Sequence, residues 1–126
     1  MRVVRLTRWR AAEIPAVNGH GTAAAVAGFY HALEAGNLLS PAMLAEAVTP
    51  QFVGPDQVFD FDAAWGLGFA INEDGYGMAG LGGSYGGMST AGGYTIGFVT
   101  GSAGNHDRVD ALENTLRDCL GLEPLP

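Results

Sequence analysis

Glycine placement constrains this chain more than any other feature. Of its 20 glycines, most fall between Gly66 and Gly104. A glycine inside a helix costs about 1 kcal/mol relative to alanine, so this stretch does not read as helix. Aromatic and β-branched residues stand between the glycines, which suits short strands joined by tight turns. The run Ala64-Trp65-Gly66-Leu67-Gly68-Phe69-Ala70-Ile71 alternates large and small side chains and predicts one strand. Asn72 to Gly75 is an acidic turn, Tyr76 to Leu81 a second strand, and Gly82-Gly83 a corner. Ser84 to Ser89 is a third strand, Thr90 to Gly93 a turn, and Tyr94 to Thr100 the clearest strand. Consecutive strands with short connections imply an antiparallel meander.

The flanks read as helix. Thr22 suits a cap, and Val26, Phe29, Tyr30 and Leu33 share one face of a helix over 22–35. Gly36-Asn37 stops it. Ser40-Pro41 opens a shorter helix carrying Leu44 and Val48, which Pro50 ends. Residues 51–62 read as an apolar connecting loop. The last helix runs from His106 to Leu120, capped by Asn105 and closed by Gly121. Its expected apolar stripe is Val109, Leu112, Leu116, Cys119 and Leu120. The start is a lead-in, in which Val3, Val4 and Leu6 suit a short strand with outward arginines. The expected architecture is α+β: two N-terminal helices, then an antiparallel sheet of three to four strands with the C-terminal helix packed on it. The 126 residues read as one domain or part of one, with a lead-in (1–17), a helical part (18–62), and a sheet with terminal helix (63–126). No internal repeat is present.

Charge and chemistry exclude several functions. The net charge is −7, which disfavours nucleic acid. The one basic cluster is Arg2, Arg5, Arg8 and Arg10, a solvated face or a contact for an acidic partner. There is no lysine, so no ammonium serves as a general base or Schiff-base amine. The single cysteine, Cys119, allows no internal disulfide and reads as a small core residue. No apolar run reaches the roughly 18–20 residues of a membrane span, and no signal peptide is legible in residues 1–17. The expected compartment is the cytoplasm, with no membrane partner.

Three motif readings fail on context. Gly75-Tyr76-Gly77-Met78-Ala79-Gly80 spells a dinucleotide loop, but a strand follows where a helix must open. Gly82-Gly83-Ser84-Tyr85-Gly86 spells a nucleophile elbow, but lacks the apolar strand before it and the helix after it. His106 and Asp107 follow in the wrong order for that mechanism. His20, His31 and His106 are too scattered for a metal pair. No cofactor or metal is expected.

The run Gly77-Met78-Ala79-Gly80-Leu81-Gly82-Gly83-Ser84-Tyr85-Gly86-Gly87 resembles the third motif of β-lactamase-like, penicillin-binding-type serine hydrolases. There a strand carries Lys-Thr-Gly, or His-x-Gly in many members of the esterase branch, before a Gly-Gly corner. Met78 falls where that family has Lys or His, and Gly80 on the motif glycine. Trp65-Gly66-Leu67-Gly68-Phe69 resembles the preceding strand. Asn18-Gly19-His20-Gly21-Thr22 and Leu39-Ser40-Pro41 resemble helix starts of the esterase branch, and Arg108-Val109-Asp110-Ala111 the terminal helix. The likeness runs over residues 12–121 and implies the C-terminal portion of that fold. It implies acyl transfer to an ester or amide, with Met78, Ala79, Gly80 and Leu81 lining the cleft and the Leu81 N–H facing the oxyanion. The family nucleophile lies in Ser-x-x-Lys, which a chain without lysine cannot contain; the Tyr-x-Asn or Tyr-x-Ser motif has no clear match. No catalytic residue is therefore assigned, and Met78 cannot carry charge or a proton. Two readings follow: a hydrolase fragment inactive alone, or a non-catalytic assembly domain that forms a homo-oligomer or pairs with a separate N-terminal half. An independent esterase using Ser84 comes third.

Overall fold

The computed structural model describes residues 7–102 and 104–125. Three helices come first: α1 (Thr7–Arg10), α2 (Ala23–Glu34) and α3 (Pro41–Ala47). Six strands follow: β1 (Phe52–Asp56), β2 (Phe61–Trp65), β3 (Ala70–Ile71), β4 (Gly75–Ala79), β5 (Tyr85–Ser89) and β6 (Tyr94–Phe98). Helix α4 (Asp107–Leu120) closes the order. The strands form one sheet in sequence order, each antiparallel to the next. The strand expected at Val3, Val4 and Leu6 lies outside the described residues.

The helix starts form as their residues dictate. Thr22 is extended, and its hydroxyl accepts from the Ala25 N–H at 3.1 Å. Ser40 does the same for Met43 at 3.3 Å, with Pro41 in the first turn. Helix α4 departs from expectation: Asn105 does not cap it. His106 is the cap residue, and its side chain makes no capping bond.

The sheet has six strands rather than three to four, because residues 51–62 are not a loop. Phe52–Asp56 and Phe61–Trp65 pair in register from Phe52 opposite Trp65 to Asp56 opposite Phe61. Gly54 and Pro55 would disfavour a central strand, but β1 is an edge of the sheet, where proline is tolerated. Asp56 builds the turn: one carboxylate oxygen accepts from the Val58 and Phe59 N–H groups, the other from Trp65 Nε1 at 2.8 Å. The strand expected over 64–71 is also two strands, β2 and β3, with the Gly66 N–H bonded to the Phe69 carbonyl across the turn between them.

The register puts Met78, Gly86 and Gly97 side by side on one face of the sheet. Helix α2 lies directly on that row. A Cβ at Gly97 would run into the Ala23 carbonyl oxygen and the Ala27 nitrogen, so only glycine lets the helix backbone come this close. The core on this side is Tyr30, Leu33 and Tyr76, with Val26, Leu44, Val48, Phe69, Ile71 and Met88 packed round it. The Tyr76 hydroxyl donates to Glu34 Oε1 at 2.6 Å. Phe29, expected to share this face, is about half exposed and packs edge-on to Tyr30.

Helix α4 approaches through Tyr94, on the alternate side of the pleat. Of the expected stripe only Val109 is fully buried; the other buried residues of the helix are Glu113 and Arg117. Leu112, Cys119 and Leu120 are exposed, so Cys119 is not a core residue. The reason is polar. The Tyr94 hydroxyl donates to Glu113 Oε1 at 2.7 Å, and Arg117 Nη1 bonds Tyr94 at 3.1 Å and Asp74 at 2.9 Å. Each charged head finds its partners in this network, which turns the helix by its polar side towards the sheet.

Candidate functional site

The third-motif segment lies where β4 turns into β5. Met78 and Ala79 end β4, opposite Gly86 and Tyr85. Gly80 to Ser84 make the corner. Met78, Ala79, Gly80 and Leu81 are all exposed, Leu81 at 94 %. The tetrapeptide thus sits in an antiparallel ribbon, open to solvent, and no helix follows it.

Backbone bonds fix the corner. The Gly80 N–H donates to the Ser84 carbonyl at 2.7 Å, and the Gly83 N–H to the Gly80 carbonyl at 2.9 Å. Gly83 has φ +89°, and a Cβ there would strike the Asn105 carbonyl oxygen, so the second glycine of the pair is needed on both counts. The segment between β6 and α4 then braces the corner from behind. The Gly104 N–H donates to the Gly82 carbonyl at 3.0 Å, the Thr100 N–H to the Ser84 hydroxyl at 3.2 Å, and His106 Nε2 lies 3.1 Å from the Gly80 carbonyl. Arg108 holds that segment through Thr100 Oγ1 and the Ser102 carbonyl. Among the described residues the Leu81 N–H has no partner, so it is free to donate outwards.

Among the described residues the corner presents a backbone N–H, and neither Ser84 nor His106 is bonded to the other. Ser84 Oγ accepts from the Thr100 N–H, and the imidazole of His106 reaches the Gly80 carbonyl rather than Ser84. The phenols near the site hold their protons. Burial raises Tyr30, against a backbone contact from Met78 that pulls the other way. Burial, reinforced by the Glu113 charge, pushes Tyr85 well above the ordinary phenol range, and burial with the Glu34 contact does the same to Tyr76. His20 is exposed, 2.8 Å from Asn18 Oδ1, and His31 is exposed on α2. Among the described residues no group of three His, Cys, Asp or Glu side chains could hold a metal ion, and no helix is long and apolar enough to cross a membrane.

The sequence reading missed two parts of this geometry. It placed His106 only beside a helix cap, although an uncapped histidine next to a Gly-Gly corner is able to reach a carbonyl. It also missed the hairpin of β1 and β2, whose aromatic residues Phe59, Phe61 and Trp65 cluster with ring centroids 5.8 and 5.9 Å apart. Asp56 followed by a four-residue gap to Phe61 was the available signal.

A six-stranded antiparallel meander, one helix seated on its glycine row and a terminal helix linked to Tyr94 define an α+β domain with an exposed Gly-Gly corner. The family model for Beta-lactamase matches residues 2–118, and the chain belongs to that family. No curated protein matches it.

Proposed function

We propose that this chain provides the sheet side of an acyl-transfer site for a small ester or amide, and that it does not complete the reaction alone. Met78, Ala79, Gly80 and Leu81 form one wall of the cleft. The Leu81 N–H is the oxyanion donor, and the attacking serine belongs to a Ser-x-x-Lys segment outside these 126 residues. The observation that carries this reading is the exposed, braced corner with its unpartnered Leu81 N–H. Preorganised donors of this kind contribute most when they do not move as charge develops.

The test begins with the DNA upstream of Met1, searched for an in-frame Ser-x-x-Lys. The protein encoded with that segment is assayed on a short p-nitrophenyl ester beside its Leu81→Pro variant, which lacks the N–H. The expected loss in kcat is roughly 10²–10³-fold, the usual effect of removing one oxyanion donor. Full activity in Leu81→Pro would overturn the assignment. The 126-residue chain, wild type and Ser84→Ala alike, is expected to give only background hydrolysis.

A second reading has its own support. Strand β6 is an edge of the sheet, and Leu112 and Leu120 of α4 are about half exposed. An open edge beside apolar surface favours association, either with another copy or with a separate N-terminal half. Light scattering decides it: a monomer across a broad concentration range counts against self-association.

A further inference from the structure

We infer that His106 is a positioning residue that sets the pose of the oxyanion corner and makes it responsive to pH. This deepens the reading of the corner as a donor site and rests on it.

The geometry is specific. His106 stands at the cap position just before α4, where a side chain ordinarily caps the helix, yet its imidazole makes no capping bond. It turns instead to the Gly80 carbonyl, 26 residues earlier, with Nε2 at 3.1 Å. A carbonyl oxygen only accepts, so Nε2 must carry the proton and donate. The Gly80 carbonyl belongs to the same peptide unit as the Leu81 N–H. Fixing that oxygen therefore fixes the direction in which the N–H points, because the peptide is planar. Among the described residues the other bond to this oxygen comes from the Gly83 N–H, within the corner itself. His106 is thus the side chain that ties this peptide to the rest of the fold.

Protonation changes the tie in one direction. Neutral imidazole offers Nε2–H in only one of its two tautomers. Imidazolium always offers it, and as a charge-assisted donor. The hold on Gly80 tightens when the ring gains its second proton. No other titratable side chain lies in the corner at 80–84 or in the segment 99–105 behind it. The charged groups nearest in sequence are on α4: Asp107, which accepts from Asn105 Nδ2, Arg108, which bonds Thr100 and Ser102, and Asp110 one turn on.

The test is a pH series of amide spectra on the isotope-labelled 126-residue chain. The Leu81, Gly82 and Gly83 amide signals are expected to shift with one midpoint, matching that of the His106 ring proton signal. In His106→Gln the side-chain amide keeps a donor but no charge. The corner shifts should vanish there, while thermal midpoint and spectral dispersion stay near wild type. In His106→Ala the Gly83 amide, which donates to the same Gly80 carbonyl, should exchange with solvent several-fold faster than in wild type. Corner signals that stay fixed while the ring titrates would overturn the proposal, as would corner shifts that persist in both variants. The readout needs no catalysis, so it can fail while the Leu81→Pro assay succeeds, and the reverse.

Discussion

Gly97 is the point at which helix and sheet backbone meet, and replacing it with alanine tests the packing directly. The added methyl would meet the Ala23 carbonyl oxygen and the Ala27 nitrogen, both part of the α2 backbone, with Val26 Cβ at 3.1 Å. Neither backbone atom can rotate away, so α2 must lift from β6. Overpacking of this kind costs about 1–3 kcal/mol, and a rigid obstacle favours the upper end. Alanine also narrows the unfolded ensemble, which returns about 0.4–1 kcal/mol. The net loss is therefore about 2 kcal/mol. For 126 residues the unfolding entropy sets about 4 °C per kcal/mol, so the midpoint should fall by about 8 °C. The control is Gly28→Ala, on the exposed side of the same helix, where a Cβ meets nothing within 4 Å. It should raise the midpoint by about 2–4 °C through helix propensity and the unfolded-state term. Thermal denaturation by circular dichroism reads both. A Gly97→Ala midpoint at or above wild type would refute the close-approach argument.

Glu113 tests the polar face of α4 through pH. Burial raises its carboxyl above the ordinary value, so the fold binds that proton more tightly than the unfolded chain does. Its stabilising contribution is complete below the unfolded pKa of 4.5 and is lost as pH rises through the raised value. Urea titrations should show Glu113→Gln gaining on wild type as pH rises from acid to neutral; a constant gap would contradict the assignment. Asp56 runs the other way. The Phe59 and Val58 N–H groups, then Trp65, hold its carboxyl below 3.8. Its contribution is present above that unfolded value and disappears as pH falls through the lowered one, so the advantage of wild type over Asp56→Ala should shrink in acid. Amide exchange at Val58 and Phe59 measures it, and equal protection in both proteins at neutral pH would refute it. Met78→His, at a side chain 45 % exposed, should change stability by no more than about 0.5 kcal/mol in thermal melts.

Local signals carried the helices because their information is local. Thr22, Ser40 and Pro41 act on the next turn of chain, and the residues that cap α2 and α3 are legible without knowing the neighbours. The strands β4, β5 and β6 were legible for a similar reason, since glycine pairs and short turns set a meander. The β1–β2 hairpin was not, because Gly54 and Pro55 break a central strand but not an edge, and edge position is a property of the whole sheet. The face of α4 was missed on different grounds. Its leucines outnumber its buried apolar residues, and counting them assumes an apolar partner surface. The surface it meets presents Tyr94 and Asp74, so Glu113 and Arg117 turn inwards and Leu112 and Leu120 are left outside. The third-motif corner was found by resemblance, whereas its brace at His106 depends on a contact across 26 residues that no spacing rule encodes.

That brace explains how the corner keeps its shape with methionine at position 78. The bonds that define the turn come from Gly80, Gly83, Ser84, Thr100, Gly104 and His106, and none involves the Met78 side chain. Shape and chemistry are therefore separable here. A Lys or His at 78 would add a charge or a proton at this exposed position without being required for the turn. Methionine removes that charge while the peptide carrying the Leu81 N–H keeps its place. On the reading proposed above, a corner held in this way would present a donor to a developing oxyanion, while the attacking group would come from outside these residues.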